Sequence, residues 1–277
     1  MNDAGKFRPK RPLTRTYASA DVIPAKSKGD TSWGNVSGWY AEHLTGDDTY
    51  HEKVILPNLL RLVGPKAGMH VLDVATGEGY FARAFANAGA TVVAADISPE
   101  LIAKAKLQAS SALFQVAASH HLAFAKENSF DAVTVVLALQ NIERLQATIA
   151  ECARVLKPGG MFAIVLNHPS FRIPKKSSWS FDPETNVQYR RIDGYLHEFK
   201  TAIVMNPGAR GAQEQTTVSF HRPLQEYVKA LAKAGFAIVD IEERISHKKS
   251  QNGPKQKAAD LARSEFPLFM AIVATTR

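Results

Sequence analysis

The feature that most constrains the fold of this chain is residues 71–82, which read Val-Leu-Asp-Val-Ala-Thr-Gly-Glu-Gly-Tyr-Phe-Ala. An apolar run that carries one acid, Asp73, ends in a glycine turn and continues directly into sequence with helical spacing. A nucleotide-binding βα unit begins in this way, because glycines let the backbone approach a ligand at the N-terminus of the helix. The stretch therefore predicts a nucleotide-binding unit around which the rest of the chain is arranged.

Length and composition favour one large globular core. The chain has 277 residues, of which 45% are hydrophobic, and a chain of this size buries about three-quarters of its unfolded surface. Its longest apolar runs, 132–139 and 161–166, are far shorter than the roughly 20 residues that span a bilayer. The first residues lack the apolar core of a secretory signal. We predict a cytoplasmic protein without a membrane span.

The single cysteine, Cys152, excludes an internal disulfide and a cysteine-based metal cluster. It lies in a helical pattern, so we expect a buried structural thiol and predict no metal site.

The formal net charge of +8 is concentrated at the N-terminus, where residues 1–30 hold seven Lys and Arg against three Asp. Half of the excess charge therefore belongs to a segment with few large apolar residues, for which we predict a flexible basic tail. A helical cap is predicted at 31–66 and an α/β domain at 67–277. A basic arm that binds RNA phosphates remains an alternative for the tail.

Strands and helices alternate through the α/β domain. Apolar strands are predicted at 69–75, 90–96, 113–117, 130–137 and 161–166, with Ser98 and Pro99 starting one intervening helix and Asn141 capping another. This alternation predicts a doubly wound, mostly parallel seven-stranded sheet of Rossmann-like type. Residues 168–215 break the rhythm and are interpreted as an insertion after strand five. The pattern resumes with a strand at 216–220, a helix at 224–234 and strands at 236–241 and 268–274.

The glycine turn is compatible with two kinds of cofactor, a dinucleotide and S-adenosylmethionine. Gly77-x-Gly79-x-x-Ala82, followed by Asp96, also fits the dinucleotide fingerprint with its ribose-binding acid. Asp73 stands where a dinucleotide site usually has an apolar residue, and an acid there can orient the ammonium of S-adenosylmethionine. The charge of Glu78 would be unfavourable beside a pyrophosphate.

With Phe130-Asp131-Ala132-Val133 and Leu156-Lys157-Pro158-Gly159-Gly160 following in order, residues 67–167 resemble the class I S-adenosylmethionine-dependent methyltransferases, especially the broad group that includes the quinone-biosynthesis methyltransferases. The resemblance implies S-adenosylmethionine as the cofactor. It also implies a site in which the glycine turn holds the methionine portion and Asp96 binds the ribose hydroxyls. Ile97 would pack on the adenine, Ala118 and Ser119 would flank it, and Leu137 would lie below the sulfonium. The remaining positions carried over for the turn are Ala75, Thr76, Gly77 and Gly79.

The chain departs from this family at two points. Many relatives have Gly-Cys-Gly where this chain has Ala75-Thr76-Gly77, a change that we expect to preserve binding. The acid that often follows strand three is replaced by Ala118, so Ser119 would have to supply that adenine contact.

The acceptor is expected to be a small molecule. His168, directly after strand five, is the candidate general base, and a simple loop hydrogen bond is the alternative role for this histidine. Tyr40, Tyr50 and His51 belong to a segment that folds over the cofactor as a lid in similar enzymes, and Tyr40 is the candidate cofactor contact. The aromatic and basic residues of the insertion suggest a substrate cover or an ordinary packed subdomain.

Other functions are weaker alternatives. C5-cytosine methylation needs a thiolate near the pocket, and Cys152 lies in no suitable motif. Amino-group methylation of adenine usually accompanies an Asn/Asp-Pro-Pro-aromatic motif, whereas this chain has Leu137-Ala138-Leu139-Gln140. An RNA methyltransferase that uses the basic tail and insertion remains the runner-up, followed by a cofactor-binding protein without methyltransferase activity. The sequence does not indicate an oligomeric state.

Overall fold

One seven-stranded sheet forms the centre of the protein. The computed structural model describes residues 48–205 and 216–276. The strands of the central sheet are β1 (His70–Val74), β2 (Thr91–Asp96), β3 (Leu113–Val116), β4 (Phe130–Val136), β5 (Leu156–Asn167), β10 (Phe236–Arg244) and β11 (Phe269–Thr276). Two separate hairpins pair β6 (Ser177–Asp182) with β7 (Val187–Ile192), and β8 (Phe199–Val204) with β9 (Thr216–His221).

The strand order confirms the predicted doubly wound, mostly parallel sheet. The order is β10-β11-β5-β4-β1-β2-β3, with β1 parallel to β2 and β4, and only β11 antiparallel to its neighbours β5 and β10. The chain moves outward from β1 to β3 and then returns to β4 on the other side of β1. This reversal leaves a crevice at the carboxyl ends of β1 and β4, where open α/β sheets bind ligands.

Helices cover both faces of the sheet. A π-helical turn at His51–Ile55 leads into α1 (Leu56–Val63), followed by α2 (Tyr80–Asn87), α3 (Pro99–Leu107), α4 (Leu145–Val155), α5 (Leu224–Lys233) and α6 (Gln256–Glu265). The π turn, α1, α2 and α3 bury apolar side chains in one core cluster, whereas α4 and α5 contribute to a second. No helix in residues 48–205 or 216–276 is long and apolar enough to cross a membrane.

The first residues of α3 and α4 test the two helix caps that the sequence predicts. Ser98 caps α3 as predicted, since its Oγ accepts the backbone N–H of Leu101 at 3.2 Å. The predicted cap at Asn141 is wrong, because α4 begins only at Leu145. A distant side chain explains the delay: Nη2 of Arg222 donates to the backbone oxygens of Ile142 and Glu143, each at 2.9 Å. Those carbonyls are thereby held outside the helix.

The region after β5 is built from hairpins rather than from α/β units. The strand predicted at 216–220 is present as β9, but it pairs with β8 and does not join the central sheet. The predicted basic tail at 1–30, Tyr40, and residues 206–215 of the predicted insertion lie outside the described residues. Of the predicted cap at 31–66, the structure describes only residues 48–66, which contain the π turn and α1.

Candidate functional site

A pocket opens at the crevice between the carboxyl ends of β1, β2 and β4. Its walls come from the β1–α2 turn, the residues after β2 and the segment after β4, and the π turn contributes one side. The lining residues are His51, Asp73, Ala75, Thr76, Gly77, Glu78, Tyr80, Phe81, Asp96, Ile97, Leu101, Val136, Leu137, Ala138, Asn141 and Ile142. Seven of the predicted site residues are thus brought together: Asp73, Ala75, Thr76, Gly77, Asp96, Ile97 and Leu137.

The β1–α2 turn uses backbone conformations that most residues avoid. Gly77 has a φ of 58° and Gly79 a φ of 77°, both in the left-handed region. Ala75 and Leu137 also have positive φ values, 56° and 52°, and both line the pocket. Left-handed backbone at a non-glycine residue costs about 1 kcal/mol or more and is retained where the surroundings impose it, often at functional sites. Two of the five non-glycine residues with positive φ in the described part of the chain therefore lie in the pocket wall.

Gly79 is required by packing as well as by conformation. It lies behind the turn rather than among the lining residues, and a Cβ added there would meet the Phe114 ring at 2.5 Å. We expect Gly79→Ala to lower the free energy of unfolding by about 2–4 kcal/mol, from the positive φ and the overpacking together. Urea unfolding of the purified variant measures this loss.

The matched control is Gly235→Ala, at a glycine with a φ of 87° and no atom within 4 Å of an added Cβ. It should lose only the conformational part, about 1 kcal/mol. Equal losses at the two positions would contradict the role assigned to Phe114.

Asp73 is a buried acid with no counter-ion among the residues that the structure describes. Its carboxyl is 1% exposed, Oδ1 accepts the hydroxyl of Thr134 at 2.7 Å, and Oδ2 accepts that of Thr76 at 2.5 Å. No Lys or Arg of the described residues forms an ion pair with it. Burial raises the pKa of Asp73 to about 6, against the lowering effect of the two hydroxyls. A cation that entered the pocket would relieve this cost.

Asp96 ends β2 and faces the same pocket. One carboxylate oxygen accepts the backbone N–H of Gly77 and the other that of Ser98, both at 2.9 Å. Burial raises the pKa of Asp96, while these backbone donors act in the opposite direction. A carboxylate oxygen has two lone-pair directions, so the Asp96 carboxylate keeps acceptor capacity for a ligand hydroxyl. The bond to Gly77 also ties the turn to β2.

The charge of the pocket walls is negative. Asp73, Glu78 and Asp96 line the pocket, whereas none of its lining residues is Lys or Arg. Glu78 is paired with Lys104 at 3.2 Å. Burial lowers the pKa of His51 to about 4, so its imidazole is uncharged at neutral pH. Such a pocket favours a cationic ligand and is unfavourable for a pyrophosphate.

Besides Gly79, two described residues predicted to bind the cofactor do not line the pocket. Ala118 and Ser119 follow β3 but are absent from the lining residues, and the Ser119 hydroxyl lies 2.9 Å from that of Thr148. Their role beside an adenine stays a prediction. Tyr40 belongs to the part of the chain that the structure does not describe.

His168 lies at the end of β5, outside the pocket lining, and is 2% exposed. Its Nδ1 accepts the backbone N–H groups of Ser170 and Phe171 at 3.2 and 3.3 Å, so the ring proton is on Nε2, which lies 2.6 Å from Oε1 of Glu243. Burial lowers the pKa of His168. Both ring nitrogens hold the loop together, which does not support the prediction of a general base.

The sequence interpretation missed several residues of the pocket wall. Phe81 lies on the first turn of α2, and Asn141 and Ile142 belong to the segment after β4 that Arg222 holds. The sequence places His51 in the lid segment without assigning it a role. In the structure its ring stacks on Phe81 with centroids 5.5 Å apart. The sequence offers one signal for these residues, their position along the chain. The segment after β4 and the helix after the glycine turn both border the crevice where the strand order reverses.

Comparisons with known proteins find methyltransferases that are similar to the region that forms the pocket. A family model described as "Methyltransferase domain" matches residues 72–164. The demethylmenaquinone methyltransferase of Renibacterium salmoninarum is 39% identical over 110 residues, which cover 39% of this chain and 46% of that protein. The ubiquinone biosynthesis O-methyltransferase of Xanthomonas oryzae pv. oryzae is 41% identical over 106 residues, covering 36% and 44%. The matches therefore span less than half the length of these two relatives.

A solved structure resembles a larger part of the chain. The S-adenosylmethionine-dependent methyltransferase from Mesorhizobium loti superposes with a TM-score of 0.63 and 24% identity, covering 83% of this chain and 99% of that protein. This likeness concerns the fold, and the sequence matches concern the region that builds the pocket. Residues 72–164 therefore match a methyltransferase domain, and the fold around them is similar to that of an S-adenosylmethionine-dependent methyltransferase.

Proposed function

We propose that this protein transfers a methyl group from S-adenosylmethionine to a small-molecule acceptor. The observation that carries the proposal is the buried carboxylate of Asp73, which has no ion-pair partner in residues 48–205 and 216–276 and faces a pocket whose described lining residues include no Lys or Arg. S-adenosylmethionine brings an ammonium and a sulfonium, whereas a dinucleotide brings a pyrophosphate. The charge of the pocket favours the first cofactor.

The lining residues have distinct parts in holding this cofactor. Asp73 would orient the ammonium of the methionine portion, and Asp96 would accept the ribose hydroxyls. Ile97, which is 49% exposed beside Asp96, supplies an apolar surface for the adenine. When bound, the cofactor supplies an activated methyl group, so the chain has mainly to align the acceptor and exclude water.

A small-molecule acceptor is supported by the relatives, whose names refer to quinone biosynthesis. Cys152 is fully buried, and burial raises the pKa of its thiol. This agrees with the expected structural thiol and disfavours a cysteine nucleophile. Nothing in the comparisons supports the RNA alternative. The cytoplasmic location stays a prediction.

His51 is the only histidine among the described residues that line the pocket. It is uncharged at neutral pH, because burial lowers its pKa to about 4. A neutral imidazole also leaves the pocket suited to a cationic cofactor. An imidazole with a pKa of about 4 is a weak base at neutral pH, so we assign the general-base role to His51 only for acceptors whose attacking group is itself acidic.

Replacing His51 with phenylalanine keeps a ring that can stack on Phe81. We expect cofactor affinity to change less than threefold and kcat to fall by about 10²-fold or more, the usual contribution of a general base. Calorimetry gives the first quantity and initial rates give the second. A variant with full kcat and a raised KM would instead make His51 part of the acceptor wall.

Methyl transfer itself is tested without knowing the acceptor. The protein is incubated with methyl-labelled S-adenosylmethionine and an extract of its source cells, and the label is then measured in the small-molecule, RNA and protein fractions. The proposal expects enzyme-dependent label in the small-molecule fraction. Label confined to RNA would contradict the proposed acceptor class. Cofactor binding without label in any fraction would support a binding protein without methyltransferase activity.

A further inference from the structure

A group of cationic and aromatic side chains lies where the chain leaves β5, next to the start of β11. It joins residues of the insertion to residues that flank and begin β11. We call it the cationic–aromatic cluster, and its members are Phe171, Arg172, Trp179, Arg190, Phe266 and Phe269. Three of its rings are in contact, since Phe266 packs edge-on against both Phe171 and Trp179, with centroid distances of 5.4 and 5.5 Å.

Arg172 is held in place, but some N–H donors of its guanidinium have no hydrogen-bond acceptor among the described residues. Its Nη1 donates to Oδ1 of Asn167 at 2.5 Å, and Cζ lies 5.2 Å from the centroid of the Phe269 ring. Among the described residues, no other side chain or backbone group accepts a hydrogen bond from Arg172. An arginine carries five N–H donors in a rigid fork. Nε and Nη2 are therefore available to a ligand.

Arg190 adds a second positive charge to the cluster. Its Nε donates to the backbone oxygen of Phe171 at 2.8 Å, and Cζ lies 5.2 Å from the Trp179 ring centroid. Burial lowers the pKa of Arg172, Tyr50 acts against this lowering, and the charge of Arg190 adds to it. Neither guanidinium has a carboxylate within 4.0 Å in residues 48–205 and 216–276. Two partly buried like charges without a counter-ion form an anion-binding arrangement.

The cluster adjoins the cofactor pocket. Asn167, which holds Arg172, lies two residues beyond Val165 on β5, about 7 Å along the strand, and the oxygen of Val165 accepts the N–H of the pocket residue Leu137 at 2.7 Å. On the other side, the ring of Tyr50 lies 5.5 Å from that of Phe269. Tyr50 immediately precedes the pocket residue His51. A molecule held by the cluster can thus extend towards the pocket.

We propose that the cationic–aromatic cluster binds the methyl acceptor, and that this acceptor is an aromatic molecule with an anionic oxygen group, a carboxylate or a phosphate, that pairs with Arg172. The guanidinium fork suits either anion, since both accept two parallel hydrogen bonds. The surrounding rings of Phe171, Phe266 and Trp179 suit an aromatic body. This inference rests on the proposed methyl transfer for the role of the ligand, but not for its binding.

The test uses three probes that share one ring system: 1-naphthoate, 1-naphthyl phosphate and the uncharged 1-naphthamide. Their dissociation constants are measured by calorimetry with the wild-type protein, alone and with S-adenosylmethionine. We expect at least one anion to bind about tenfold or more tightly than the amide, as a charge-assisted contact requires. Preference between naphthoate and naphthyl phosphate identifies the anion class. Equal affinity for all three probes would overturn the proposal without any variant.

Substitution then assigns the preference to one side chain. Arg172→Gln should reduce the ratio of anion to amide affinity to near one, and Arg172→Lys should retain part of it, because lysine keeps the charge but loses the fork. Arg191→Gln is the matched control, since Arg191 is exposed and paired with Asp193 at 2.6 Å; it should keep the full ratio. A folded Arg172→Gln protein with an unchanged ratio would also overturn the proposal.

Cofactor binding in the same titrations separates this inference from the proposed function. If the wild-type protein shows the anion preference but does not bind S-adenosylmethionine, the cluster stands as a binding site and the methyltransferase proposal fails. If it binds the cofactor but shows no anion preference, the cluster assignment fails and the methyltransferase proposal stands.

Discussion

Replacing Asp96 with alanine is expected to weaken S-adenosylmethionine binding by about 2–3 kcal/mol, or roughly 30- to 150-fold in Kd, because a charge-assisted pair of hydrogen bonds to the ribose is lost. Asp96 lines the pocket and is 7% exposed. Asp96→Asn keeps the shape and one oxygen acceptor, so we expect a smaller loss. Isothermal titration of the three proteins measures these differences.

The loss must be separated from damage to the turn, since Asp96 also accepts the backbone N–H of Gly77. Asp131 offers a matched control, because its carboxylate accepts the backbone N–H of His70 at 2.8 Å at the opposite end of β1. Asp131→Ala should leave cofactor affinity unchanged. Urea unfolding of both alanine variants checks that the fold is retained. Full cofactor affinity in folded Asp96→Ala would show that the ribose lies elsewhere.

Cofactor affinity is expected to rise with pH through the titration of Asp73, which is the second large effect. In the unliganded protein this acid has a pKa of about 6 because it is buried, so below that pH it is mostly neutral. A cationic ligand favours the carboxylate and must release the proton. Affinity should therefore rise up to about tenfold per pH unit between roughly pH 5 and 6 and then level off.

The stability of the unliganded protein should change in the opposite direction. The pKa of Asp73 is raised from 3.8 to about 6 on folding, so the folded state binds this proton more tightly than the unfolded state. The associated stability is fully present below about pH 4 and is lost as pH rises to about 6, with a total of about 3 kcal/mol. Urea unfolding at several pH values measures this loss.

Asp73→Asn isolates both effects from other groups that titrate in this range. The variant should bind the cofactor weakly at all pH values and show no rise between pH 5 and 6. Without the cofactor it should unfold at higher urea than the wild type at pH 7, because it buries no charge. A variant that keeps the pH-dependent binding of the wild type would exclude Asp73 as the acid that meets the cation.

The site residues that could be predicted from sequence are those whose place is set by the strand they belong to or follow. Asp73, Gly77 and Asp96 each stand at or just beyond a strand end, and parallel strands bring those ends to one edge of the sheet. The wall formed by Asn141 and Ile142 was not predictable in this way. The capping signal at Asn141 is overridden by Arg222, which lies about 80 residues further along the chain.

Contacts between residues far apart in sequence also explain the other differences between the predictions and the structure. The β-pattern at 216–220 correctly predicts a strand, but only the partner strand β8 decides that it stays outside the central sheet. His168 stands at the expected edge of the sheet, yet its ring is held by Glu243 from β10, a residue 75 positions away. Pairing across such separations leaves no local signal in one sequence.

The most direct test of the account is a pair of calorimetric titrations at pH 7, one with S-adenosylmethionine and one with NAD⁺. We predict that S-adenosylmethionine binds one-to-one and that NAD⁺ produces no binding heat, because the buried carboxylate of Asp73 faces a pocket with no Lys or Arg among its described lining residues. Binding of NAD⁺ without binding of S-adenosylmethionine would contradict it.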